Sequence, residues 1–250
     1  MSSWESALKC KLASCEDFEQ CMDVLFLMIN DLGFTQVVYA TQDIFPKIGE
    51  NKWLPLKLNV RNFPEKWEQV WVHFEEHDPY YHACFDGTLP FEWKSVQQDE
   101  NLNFLERQAW KYLADLGLQC GMTVPIHHPG GSFSVVSAIL DKTNVSWKQI
   151  YDNNHKHVFF ATHLFNDMVT KKGFVSQAKK HDQVFLSPRE KECLSWVSKG
   201  KTTPEIAIIL DLSKETVRLH IKNSMTKLDA VTRTHAVSKA FASGQITYRN

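Results

Sequence analysis

The sequence predicts an α+β chain: an N-terminal antiparallel sheet flanked by helices, then an all-α bundle of four short helices. Three observations lead there. Helical and strand-like stretches intersperse up to about residue 170, and two adjacent strand-like runs, Gln119 to Ile126 and Ser132 to Leu140, are joined by HHPGG. Gly130-Gly131 suits a tight connection, which argues for a hairpin and antiparallel pairing. From Phe185 to Ile246 the pattern changes to short helices, each with its own start and stop signals. Charge divides in the same region. Residues 171–250 hold 15 Lys and Arg against 7 Asp and Glu, and residues 1–170 hold 13 against 22.

Taken in order, Trp4 to Leu32 has a helical period, with Phe18, Met22, Leu25, Met28, Ile29 and Leu32 recurring at three and four. Gly33 stops it, and Phe34 to Ala40 reads as a strand. A second strand is expected at Leu56–Val60. Phe63-Pro64 leads into a helix bearing Trp67, Trp71 and Phe74, and Asp78-Pro79 opens another that ends near Asp86-Gly87. A further helix runs from about Asn101 to Leu116, where Gly117 follows. After the hairpin, a last helix extends from about Ser146 to Val169. The lysine-rich stretch from Lys171 reads as a linker, giving domains at 1–170 and 184–250 with 171–183 between them.

In the C-terminal segment Ser187 caps, Pro188 takes the first helical position, and Glu190 completes a capping box; Gly200 is the stop. Thr203 and Pro204 start a second helix, which carries Ile206, Ala207, Ile209 and Leu210. Asp211-Leu212 turns the chain, and Ser213 caps a third helix running to about Leu228. A fourth runs from near Thr232 to Gly244. Val217, Ile221 and Leu228 share one face of the third helix and pack inward. Arg218, Lys222 and Thr226 recur every four residues on another, with Leu219 beside them. A cationic stripe beside an apolar one suits a helix laid in a DNA major groove, the second helix crossing the backbone as in a helix-turn-helix. The competing reading is a solvated basic face.

With 250 residues and 43% hydrophobic content, the chain is ample for a core. No apolar run approaches a membrane span, and MSSWESALKCK is not expected to be a secretory signal. The six cysteines form no C-x-x-C pair, which fits reduced thiols in a cytosol. Cys10, Cys15 and Cys21 match no common metal-ligand spacing. In the first domain Trp67 and Trp71 share a helix face, Asp78 stands at a helix start, and Ser137 lies mid-strand among apolar residues. A donor, an acceptor and a hydroxyl at one mostly apolar cavity would suit a small amphipathic ligand.

Two resemblances sharpen these readings. SPREKECLSW, GKTTPEIA and ETVRLHIKN resemble the LuxR-type helix-turn-helix output domain. The resemblance implies base-facing roles for Arg218, Leu219, Lys222 and Thr226. Thr216, Lys227 and Arg233 are expected at phosphates on side-chain type and position. FPEKW, Asp78-Pro79, PFEW and GLQCGMTVPI resemble the autoinducer-binding domain that precedes such output domains. That implies an N-acyl-homoserine lactone or similar autoinducer as ligand. Trp67 would donate to the lactone carbonyl, Asp78 would accept from the amide N–H, and Ser137 would bond near the acyl carbonyl. Trp93 and Gly121 match positions that shape the pocket.

Phe63 and Trp71 stand where the family usually has tyrosines, and the spacer from Trp71 to Asp78 is shorter than usual. Each lost phenol removes a hydrogen bond, and Trp71 takes up volume near the acyl chain. The whole implies a cytoplasmic quorum-sensing transcription regulator without catalytic residues, cofactor or metal. Its partners would be a near-palindromic double-stranded DNA site, a second copy in a homodimer, and RNA polymerase.

Two other readings compete. His73, Glu76 and His77 fit H-x-x-E-H, which on a helix would hold zinc for hydrolysis. Alternatively, the N-terminal domain is a ligand-free dimerisation or docking module. Convergence of Trp67, Asp78 and Ser137 on one cavity discriminates against the latter.

Overall fold

A computed structural model describes residues 3–42, 56–128, 133–141, 146–175 and 185–247. Gly130-Gly131 and most of the expected linker lie outside them. The described residues fall into two compact units, the first built from residues 3–42, 56–127, 133–141 and 146–175 and the second from residues 185–247.

In the first unit, the helical period from Trp4 to Leu32 makes two helices rather than one, α1 (Ser3–Ser14) and α2 (Phe18–Asp31). Asp17 takes extended backbone and its carboxylate accepts from the Gln20 N–H, so it caps α2 and interrupts the run. Gly33, at φ +96°, lets the chain turn directly into a strand. There follow β1 (Gln36–Gln42), β2 (Lys57–Arg61), α3 (Trp67–Trp71), a 3-10 turn (Glu75–His77) and α4 (Pro79–Ala83). The unit continues with β3 (Phe91–Glu92), α5 (Trp93–Gln97), α6 (Phe104–Asp115), β4 (Cys120–His127), β5 (Phe133–Leu140) and α7 (Trp147–Lys171). The expected helix through Phe74 stops at Trp71. The sequence reading misses β3 and α5, which are too short to display a period.

The strands form one antiparallel sheet in the order β2-β1-β5-β4-β3. Successive strand residues face opposite sides, and here both sides are covered. Val37, Tyr39, Met122, Val124, Val136 and Ala138 pack against α1, α2 and α7, around Leu12, Leu25 and Phe165. Burying each of the last three contributes about 1.5–3 kcal/mol. Val38, Ala40, Thr123, Val135, Ser137 and Ile139 face the other layer, built from the segment between β2 and β4. One rung crosses the whole sheet: Val60, Val38, Ser137, Thr123 and Phe91 stand side by side. The site is built on that rung.

The second unit comprises α8 (Pro188–Ser198), α9 (Thr203–Leu210), α10 (Lys214–Lys227) and α11 (Arg233–Ala242). Ser187 with Glu190 and Thr202 with Glu205 form capping boxes, while Ser213 and Thr232 cap α10 and α11. Asp211, in left-handed backbone at φ +53°, makes the turn between α9 and α10. Cys193, Ile206, Val217 and Ile221 form one apolar cluster, and Leu186, Leu194, Ala236 and Ala240 another.

Candidate functional site

Between the sheet and α3–α6 lies a cavity of about 60 Å³. Phe63, Trp67, Trp71, Asp78, Trp93 and Ser137 all line it. Every cavity residue expected from the sequence therefore converges on one place. Trp67 and Trp71 get there through one turn of α3, Asp78 through its cap position, and Ser137 through the register of the central strand. Thr123, Tyr80, Tyr81, Glu75 and Leu118 line the same cavity and were not anticipated. Thr123 carried a signal, since it stands opposite Ser137 in the hairpin, but only once the register is fixed.

The cavity is small because its aromatic walls lean on one another. The rings of Phe63 and Trp67 are centred 4.9 Å apart, those of Trp67 and Trp71 6.2 Å, and Tyr80 stacks on Trp93 at 4.1 Å. Pockets for small molecules usually measure about 300–1,000 Å³, so a larger guest has to spread these walls. Gly121 makes room behind Trp93: a Cβ there would stand 2.6 Å from the indole Cδ2.

A buried relay sets the polarity of one wall. The Trp93 indole N–H donates to Thr123 Oγ1 at 2.8 Å, and Thr123 Oγ1 lies 2.8 Å from Ser137 Oγ. An indole nitrogen can only donate, so Thr123 accepts from it. Either hydroxyl can donate in the second bond, and where Thr123 directs its own proton to Ser137 the Ser137 hydroxyl is able to donate to an acceptor in the cavity.

Asp78 has the opposite polarity. Its carboxylate accepts from the Tyr80 N–H at 2.9 Å, which starts α4. Burial pushes its pKa up to about 6, against the backbone N–H groups of Tyr80 and Tyr81 and the charge of His82, which favour ionisation. Trp67 is anchored through its backbone carbonyl, which accepts from the Tyr112 hydroxyl at 2.9 Å. Its indole N–H has no hydrogen bond among the described residues.

The zinc reading loses its geometry here. α3 ends at Trp71, and His77 closes a 3-10 turn, so His73 and His77 do not stand one α-turn apart on a helix. No cluster of three metal-ligating side chains occurs among the described residues.

In the second unit α10 buries Val217 and Ile221 and presents Arg218, Leu219, Lys222 and Thr226 to solvent. Leu219 is 55% exposed beside them. Among the described residues Arg218 makes only a solvent-side pair with Glu215 at 3.1 Å. The other three expected contact residues are engaged locally. Thr216 closes the Ser213 cap, Arg233 donates to Thr203 Oγ1 at 3.2 Å, and Lys227 pairs with the buried Glu190 carboxylate at 2.8 Å. The Lys227 ammonium and the Ser187 N–H hold the Glu190 pKa down against its burial.

Residues 17–168 match the family model of the autoinducer binding domain, and residues 184–240 match that of the bacterial regulatory proteins of the luxR family. The chain belongs to the luxR family.

Among its relatives, the transcriptional activator protein LuxR of Aliivibrio fischeri is 25% identical over 94% of this chain and 92% of that protein. The quorum-sensing regulator RhlR of Pseudomonas aeruginosa is 28% identical over 97% and 96%. The fold matches Escherichia coli SdiA at a TM-score of 0.75, with 21% identity and 97% of each chain covered. SdiA has also been solved in complex with octanoyl-rac-glycerol; that chain gives 0.73, at 20% identity over 97% of this chain and 95% of that one. LuxR-family regulators bind DNA and a small signal, and this chain is a ligand-responsive DNA-binding regulator of the quorum-sensing type. The family consists of transcriptional regulators rather than enzymes. No helix among the described residues is long and apolar enough to cross a membrane.

Proposed function

We propose that this LuxR-family regulator senses an N-acyl-homoserine lactone or a related acyl amide, bound in the cavity under the sheet. The observation that carries the reading is the convergence of Trp67, Asp78 and Ser137 on one mostly apolar space. Asp78 accepts from the ligand amide N–H. Ser137, freed as a donor by Thr123, bonds the acyl carbonyl, and Trp67 donates to the head-group carbonyl. Phe63 and Trp71 contribute ring surface in place of phenols, so the ligand's remaining polar atoms find fewer partners there. The acyl chain spreads the aromatic walls and completes the apolar layer.

Binding to the folded state alone stabilises it by RT ln(1 + [L]/Kd), about 2.7 kcal/mol at a hundredfold excess over Kd. The filled protein acts in the cytoplasm as a homodimer, without catalysis. Its paired α10 helices read a near-palindromic site, with half-sites about 34–36 Å apart. Arg218, Leu219, Lys222 and Thr226 face the bases. Thr216 and Arg233 approach phosphates with their remaining hydrogen-bonding capacity, and Lys227 does so only if it leaves Glu190. Transcription is then adjusted through contact with RNA polymerase.

The test is a thermal-shift screen against acyl-homoserine lactones of graded chain length, with octanoyl glycerol alongside. A melting-temperature rise for one chain length, lost in Asp78→Ala, supports the reading. No lactone response from a well-folded protein overturns it, and so does a rise with octanoyl glycerol alone, an ester with no amide N–H.

A further inference from the structure

Resting on that reading of the cavity, we infer that the natural signal carries a second hydrogen-bond donor beside its amide N–H, held by Glu75, and that a cationic donor is held best. Glu75 lines the cavity together with Asp78. The reason is local. The 3-10 turn starts at Glu75 and ends against Asp78, whose N–H donates to the Glu75 carbonyl. Side chains three apart in a 3-10 turn eclipse, so the two carboxyls leave the turn on one side.

Asp78 has the Tyr80 N–H to satisfy it, whereas the Glu75 carboxylate has no hydrogen bond or ion pair among the described residues. Nor does any lysine, arginine or histidine stand among the described lining residues. His82, which acts on Asp78 through its charge, is paired with Glu106 at 3.0 Å. Among the described residues the cavity thus has two carboxyls and no cation in its lining.

An ionised carboxylate only accepts, and leaving it desolvated without a donor is costly. A plain acyl-homoserine lactone has a single N–H, which Asp78 uses. Bound beside Glu75, it covers the carboxylate and returns nothing. A hydroxyl or ammonium a few bonds from the amide removes that cost. Phe63, Trp67 and Trp71 line the same cavity, and a ring that turns its face to an ammonium would hold it further, because the quadrupole attracts cations. Burial also raises the Glu75 pKa, the sign expected of a carboxylate lacking a partner.

The experiment uses the full chain and four octanoyl probes that keep the amide. These are the homoserine lactone, its 3-hydroxy derivative, the ethanolamide and the 2-aminoethyl amide. Affinities are measured for the wild type, Glu75→Gln and Glu75→Leu. A charge-assisted bond predicts that at least one donor-bearing probe binds the wild type about tenfold or more tightly than the plain lactone. That preference should collapse toward unity in Glu75→Leu. Glu75→Gln, which keeps shape and a neutral acceptor, should lose any preference for the ammonium. An unchanged order of affinity in all three proteins overturns the assignment of Glu75 while leaving the amide site standing. So does the plain lactone binding the wild type most tightly. Failure of all four probes to bind the wild type takes down the amide site and this inference together.

Discussion

Thr123 and Ser137 face each other across the β4–β5 ladder with their hydroxyl oxygens 2.8 Å apart. Because Thr123 also accepts from the buried Trp93 indole, it is the joint between a structural tryptophan and the cavity wall. Thr123→Val keeps the volume and removes the joint. An indole N–H left buried without a partner costs about 1–3 kcal/mol, and a protein of this size melts roughly 2–4 °C lower per kcal/mol. Thermal unfolding without ligand should therefore show a larger drop for Thr123→Val than for Ser137→Ala. Ligand affinity should fall in both.

Gly121→Ala tests the space behind Trp93. The added Cβ would sit 2.6 Å from the indole Cδ2, so the ring or the strand has to shift. Overpacking of this kind costs about 1–3 kcal/mol. In Gly121→Ala/Trp93→Phe the smaller ring should relieve the clash. The double variant's loss, measured by denaturant unfolding, should be less than the sum of the two single losses.

Asp78 makes the ligand-free protein sensitive to pH. Its folded pKa of about 6 lies above the ordinary 3.8, so the folded state holds the proton more tightly than the unfolded chain. Ionisation above pH 6 therefore works against the fold, and the handicap is absent below about pH 4. At about 1.36 kcal/mol per pKa unit, the effect is at most about 3 kcal/mol. Asp78→Asn retains an oxygen to cap α4 and removes the titration. The stability difference between this variant and the wild type should be larger at pH 7.5 than at pH 4, with the variant favoured at the higher pH.

The exposed and paired cations of the second unit should behave differently. Arg218→Ala and Lys222→Ala change surface residues, and their stability should stay within about 0.5 kcal/mol of wild type. Each should weaken binding to a duplex selected by the protein from random DNA. Lys227→Met strands the buried Glu190 carboxylate, so it should lower the melting temperature of this unit visibly. A Lys227→Met protein as stable as wild type would argue against the pairing.

Much of the architecture was legible in sequence because its causes are local. The capping box at Ser187 and Glu190, the stops at Gly33, Gly117 and Gly200, and the inward face of Val217 and Ile221 are all written within a turn or two of chain. The error at α1 and α2 has a local cause too, since Asp17 was present but the apolar period ran through it. The elements β3 and α5 were invisible because neither is long enough to repeat a pattern.

Local patterns along the chain suffice for two kinds of domain, an α+β one with isolated polar groups and a capped helical bundle with a cationic stripe. Which of those polar groups meet depends on pairing and packing across the fold. Thr123 becomes part of the Ser137 wall only through strand register, and Lys227 finds the Glu190 carboxylate on another helix only through packing. Glu75 joins Asp78 at the cavity because the chain tightens there into a 3-10 turn rather than an α-helix. Periodicity and caps encode short-range geometry, whereas a buried hydroxyl or charge takes its role from partners that pairing and packing bring from far along the chain.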